Sequence, residues 1–156
     1  MIKVGFFEKT GKQPRSTGGE SRMIALACDH GGFDLKESAI EVLKELGLEY
    51  KDFGTNDRKS VDYPVYGARA ARAVASGECD RGIILCGTGV GIGITANKVP
   101  GIRCVTCSDT YSARMSRLHN NANMIALGSR VLGTELAKDI LRIWLTTDFS
   151  DEQRHR

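Results

Sequence analysis

Residues 82–93 read Gly82-Ile83-Ile84-Leu85-Cys86-Gly87-Thr88-Gly89-Val90-Gly91-Ile92-Gly93. A short, fully apolar run bounded by glycine is the pattern of a strand buried on both faces, the kind that builds parallel sheets. The glycine-rich turn directly after it places a run of backbone N–H groups at a helix start, a setting suited to an anion or an oxyanion. Working outward, the same alternation recurs. Met23–Cys28 is an apolar strand. Leu35, Ile40, Val42, Leu43 and Leu46 then return at near-helical spacing across 34–46, with Gly47 at the helix end. A short strand spans 48–53, and Pro64 opens an alanine-rich helix running to about Ser76. Beyond the glycine turn come strands over 103–107 and 123–127 and helices over 110–118 and 134–145, with Trp144 as a core anchor. Five strands alternating with helices predict one α/β domain in three α/β/α layers around a mostly parallel five-stranded sheet.

The chain has 156 residues, 41% hydrophobic and 26% charged, the mix of a soluble globular domain. No segment approaches the ~18 apolar residues of a membrane helix, and residues 1–22 have no apolar centre of signal-peptide length. Collagen, coiled coil, disordered chain and membrane protein are excluded. The net charge is +3, and all of it lies in residues 1–22, which hold Lys3, Lys9, Lys12, Arg15 and Arg22 against Glu8 and Glu20. The other 134 residues carry 17 charges of each sign, so no basic face for nucleic acid is expected. Residues 1–22 read as an irregular or disordered extension, and 23–156 as the folded domain.

Cys28, Cys79, Cys86, Cys104 and Cys107 make an odd count without a secretory signal, which reads as reduced thiols in the cytoplasm. Cys104-Val105-Thr106-Cys107 has CxxC spacing, but it lies in a strand, where positions three apart face opposite sides. Core thiols are expected there.

In a parallel sheet, ligands bind beyond the carboxyl ends of strands. Three loops at strand ends carry unusual residues: Cys28-Asp29-His30-Gly31-Gly32, Cys86 to Gly93, and Arg117-Leu118-His119-Asn120-Asn121 before the last strand. The glycine loop fails the GxGxxG spacing and lacks the Gly-Lys-Ser/Thr of a P-loop. It is either an anion cradle or a turn needed for packing. Cys86, near a helix amino terminus, suits a base or nucleophile, or is an inert core thiol. Asp29 is either an acid–base partner or the cap of the next helix. No metal-ligand spacing is present.

These strings, with Asp62-Tyr63-Pro64, Ala96-Asn97-Lys98, Gly101-Ile102-Arg103, His119-Asn120-Asn121-Ala122-Asn123 and Gly128-Ser129-Arg130-Val131, resemble the ribose-5-phosphate isomerase B branch of the ribose/galactose isomerase family over residues 23–150. The resemblance implies a Rossmann-like sheet of order 2-1-3-5-4. It also implies a homodimer, or a tetramer built from it, with active sites between subunits. It implies interconversion of ribose 5-phosphate and ribulose 5-phosphate through an enediolate, with no metal or other cofactor. Cys86 would be the base, since members without this cysteine use a glutamate six residues on, where this chain has Ile92. Thr88 would assist, with Gly87, Gly89, Val90 and Gly91 supplying N–H donors for the enediolate. His119, with Asp29, would open the sugar ring. Asn120, Asn97 and Tyr63 would hold the sugar, and His30, Arg130 and Arg154 the phosphate. The family's Arg-His-x-x-Arg tail is met only by Arg154-His155, which leaves the phosphate short of one arginine. Six-carbon sugar phosphates, or binding without catalysis, are the alternatives.

Overall fold

The computed structural model describes residues 22–155. Strands and helices alternate as β1 (Met23–Cys28), α1 (Phe33–Glu45), β2 (Glu49–Asp52), α2 (Tyr63–Ala75), β3 (Arg81–Cys86), α3 (Val90–Asn97), β4 (Cys104–Thr106), α4 (Thr110–Leu118), β5 (Met124–Gly128) and α5 (Thr134–Thr146), with a 3₁₀ turn at Gln153–His155. The strands pair in the order β2-β1-β3-β5-β4, and every neighbour is parallel. The expected α/β sheet and its strand order are therefore present. Residues 1–21, most of the expected extension, lie outside the described residues; Arg22 reaches to 3.7 Å from the Asp148 carboxylate.

Strand alternation sorts the side chains into two cores. Ile24, Leu26, Ile83, Leu85, Ile125 and Leu127 meet α1, α4 and α5 on one face. Ala25, Ala27, Ile84, Cys86, Met124 and Ala126 meet α2 and α3 on the other. The smaller side chains of the second face let α2 and α3 lie close to the sheet. Trp144 is fully buried, as expected of an anchor, with the guanidinium groups of Arg81 and Arg117 over its ring at 5.7 and 5.9 Å.

Polarity is what matters for function. In a parallel sheet each helix returns antiparallel to its strands, so helix amino termini gather at the strands' carboxyl ends and helix carboxyl termini at their amino ends. The register aligns Cys86 with Gly128, and Cys28 with Leu85, so the loops after β1, β3 and β5 open side by side.

Two local expectations are resolved here. Asp29 is not the cap of α1: Gly32 holds that position, and Asp29 Oδ1 accepts the Gly32 N–H at 2.8 Å, closing the turn before the helix. Cys104 packs toward the α2/α3 core and Cys107 sits in the opposite one, so the CxxC pair is split by the sheet. All five cysteines are free. No helix among the described residues is long and apolar enough to cross a membrane.

Candidate active site

Cys86 ends β3 with its side chain buried toward α2 and α3. The chain must then reverse into α3 within three residues. Gly89 makes this possible, with φ at +78° in the left-handed region that side chains with a Cβ avoid. The turn aims the Gly89 N–H at Cys86 Sγ, 3.0 Å away. Val90 N–H donates to Thr88 Oγ1 at 3.2 Å, and Thr106 Oγ1 steadies the turn by donating to the Gly89 carbonyl at 3.3 Å. The remaining first-turn amides of α3 have no acceptor within the helix. The sulfur thus sits at a helix amino terminus, where negative charge is stabilised.

The neighbouring loops close around this turn at backbone distance. A Cβ on Gly128 would stand 2.6 Å from the Thr88 carbonyl, and one on Gly31 would stand 3.0 Å from Gly87 N. Ser129 N–H donates to the Cys86 carbonyl at 2.9 Å and Arg130 N–H to the Gly87 carbonyl at 3.0 Å, while Ser129 Oγ donates to the Gly31 carbonyl. This carries the Arg130 guanidinium over Gly87, where a Cβ would lie 3.2 Å from Nη1. Tyr63 leans over the first turn of α3, with its ring carbon Cζ 2.8 Å from where a Gly91 Cβ would be. His30 Nδ1 accepts the Val61 N–H at 3.1 Å, which leaves Nε2 for a ligand. Asp29, Cys86, Thr88, the Gly87–Gly91 amides, Tyr63, His30 and Arg130 are brought together at the carboxyl end of the sheet.

The rest of the expected site lies at the other end. His119 caps the carboxyl terminus of α4, and Asn120 follows it exposed. The six residues of β3 span about 16 Å at strand rise, so within one chain His119 and Cys86 stand about a strand's length apart. Asn97, at the far end of α3, does not join either group. Its side-chain amide donates to the Cys104 carbonyl and accepts the Cys104 N–H, both at 2.8 Å, and so pins edge strand β4. Arg154 lies in the tail near His119, its Nε 2.9 Å from Glu152 and 3.1 Å from His155 Nε2.

Three residues that the sequence reading left without a role shape the His119 turn. Asn121 adopts φ +46°, and Ala122 N–H returns to the Ser116 carbonyl at 2.9 Å, which is a helix end with Asn in place of glycine. Buried Arg117 donates to Asn121 Oδ1 at 3.0 Å and to the Ala122 carbonyl, and Arg103 donates to the Asn121 carbonyl at 3.0 Å. Asn after a helical stretch is a sequence signal for such an end. The pinning arginines leave no local signal.

Burial pushes Cys28 and Cys107 up to about 11 and Cys104 up to about 12, and raises Cys79 as well. These four are core thiols in the protonated state at neutral pH. Among the described residues no cluster of three His, Cys, Asp or Glu could hold a metal.

The family model for ribose/galactose isomerases matches residues 24–156. This chain belongs to the ribose/galactose isomerase family. It is an isomerase. It is 52% identical over 128 residues to ribose-5-phosphate isomerase B of Escherichia coli, covering 82% of this chain and 86% of that one. It is 45% identical over 127 residues to a D-erythrulose-4-phosphate isomerase of Pectobacterium atrosepticum, covering 81% and 84%. The solved ribose-5-phosphate isomerase B of Clostridium thermocellum matches with a TM-score of 0.82 at 54% identity, covering 85% of this chain and 89% of that one.

Proposed function

We propose that this family member interconverts ribose 5-phosphate and ribulose 5-phosphate in the cytoplasm, with Cys86 as the base. The observation that carries the reading is the Gly89 N–H donating to Cys86 Sγ at the head of α3, beside the exposed Arg130 guanidinium. The thiolate takes the C2 proton of the open-chain aldose. The C–H electron pair becomes the C1–C2 double bond, and charge moves onto O1. Amides of the Gly87–Gly91 turn face that oxyanion, and donors preset for developing charge lower the barrier without reorganising. The thiol returns the proton to C1 while the O2 proton passes to O1, which leaves the ketose. Arg130 and His30 Nε2 hold the phosphate, Thr88 and Tyr63 line the sugar, and Asp29 works with the ring-opening His119.

Because Cys86 and His119 stand at opposite ends of the sheet, the complete site takes His119, Asn120 and Arg154 from a second copy in a homodimer. The surface supports this assembly. Helix α3 is mostly apolar, yet Val90 and Ile94, one turn apart, are 52% and 55% exposed next to the site, and such a face calls for cover.

The test is a substrate panel on one enzyme preparation. Ribose 5-phosphate should have the highest kcat/KM, above allose 6-phosphate, galactose 6-phosphate and D-erythrulose 4-phosphate. A six-carbon or four-carbon substrate turned over at least tenfold better would overturn the assignment.

A further inference from the structure

We infer that His155 is a positioning residue for His119, holding the imidazole of the ring-opening group flat beneath its own ring. The inference rests on the ring-opening role proposed above for His119. The two rings are stacked, with centroids 4.1 Å apart and planes 11° from parallel. The stack is the last of a series of contacts between the tail and the His119 turn. Arg117 Nε donates to the Thr147 carbonyl at 3.2 Å, where α5 ends. Ser150 donates to the Leu118 carbonyl twice, from its N–H at 3.1 Å and its hydroxyl at 2.9 Å. Asp151 then takes φ +52°, and the 3₁₀ turn, closed by His155 N–H to the Glu152 carbonyl at 2.8 Å, lays the His155 ring on His119.

The electrostatics assign the two rings different work. Arg154 Nε donates to His155 Nε2, so that nitrogen serves as an acceptor, and Glu152 balances the guanidinium at 2.9 Å. Partial desolvation, then His119 and Arg154, hold the His155 proton affinity below the ordinary histidine range. His155 is therefore the neutral face of the pair. The stack fixes the plane of the His119 ring, the group assigned to ring opening above. A freely rotating imidazole would spend much of its time out of line with the ring oxygen, and misplacement by about 1 Å can cost on the order of a hundredfold.

Three variants and two assays test this. Ribulose 5-phosphate cannot close to a furanose, because its C5 oxygen carries the phosphate. Deuterium uptake from D₂O at its C1 therefore reads the Cys86 step without ring opening, while turnover of ribose 5-phosphate needs both. His155→Ala should lower kcat on ribose 5-phosphate about tenfold or more, the scale of a misaligned acid–base group, with KM within about twofold and deuterium uptake unchanged. His155→Phe, which stacks but does not titrate, should recover most of the loss. His119→Ala should show the same split, more deeply. Unchanged kcat in His155→Ala, a rise in KM alone (a phosphate anchor), equal loss in both assays, or no recovery with Phe would each overturn the inference. Wild-type protein that neither turns over ribose 5-phosphate nor exchanges ribulose 5-phosphate would instead overturn the proposed function.

Discussion

Arginines stand at both ends of the sheet in opposite states. At the amino end, Arg81 is sunk against Trp144. Its Nη1 donates to the Trp144 and Leu145 carbonyls at 3.3 and 3.0 Å, and its Nη2 lies 3.4 Å from Asp148. Arg117 beside it is held near 10 by burial first and then by neighbouring cations, a further sign that water is excluded. These side chains satisfy the carbonyls left over at the end of α5. At the carboxyl end, Arg130 lies exposed over Gly87 and forms no ion pair among the described residues. A cation whose donors end on backbone carbonyls completes the fold, and one exposed over a glycine turn is the anion contact proposed above.

The strongest way to break that contrast is to remove the proposed base. Cys86→Ala should lower turnover of ribose 5-phosphate by on the order of 10²-fold or more, as expected for a positioned base, with thermal stability nearly unchanged. Co-expressing it with His119→Ala sharpens the contrast further. If the two ends of the sheet serve different copies, random pairing leaves one intact site in half of the dimers, and roughly a quarter of wild-type activity returns. If one chain supplied both groups, every site would lack one of them and the mixture would stay dead.

Next in size is Arg130→Met. Losing one charge-assisted contact of roughly 1.5–3 kcal/mol should raise the Michaelis constant tenfold or more with little change in melting temperature. The mirror experiment is Arg81→Met. Orphaning the buried carbonyls it serves should cost about 1–3 kcal/mol of stability, read by urea unfolding, while kcat and KM at room temperature hold. Activity loss from Arg81→Met in a folded protein would erase the distinction between the two ends.

The last effect is alkaline and acts on stability alone. In the unfolded chain the thiols ionise near their ordinary 9.0, but in the fold burial holds Cys28 and Cys107 at about 11 and Cys104 at about 12. The unfolded state thus binds fewer protons above pH 9, and stability falls as pH rises from about 9 toward 11. The urea midpoint followed over that range should decline, and a flat profile would show that these thiols are not buried as described.

Much of this was legible from local pattern. Gly82–Cys86 reads as a two-faced strand because every position is apolar, and it is β3 with all six residues buried. The helix over 134–145 is α5 to within one residue. Pattern alone left the cap alternative for Asp29 open, because a cap and a turn-closing carboxylate share one signal, a short acidic side chain before a helix. Asn97, named through the family resemblance, lies at the opposite end of α3 from Cys86, with its side-chain amide on the Cys104 backbone.

What the sequence determined by itself is the layered α/β architecture and the glycine-rich turn at the end of β3, since both rest on periodicity and on glycines within a few residues of Cys86. What only the tertiary structure decided is which candidates share a site. A residue just before a strand and one just after it are kept apart by the whole strand, so His119 and Cys86 sit at opposite ends of the sheet. The His119–His155 stack depends on α4 packing against α5 and on arginines reaching carbonyls far along the chain, interactions that no local pattern encodes.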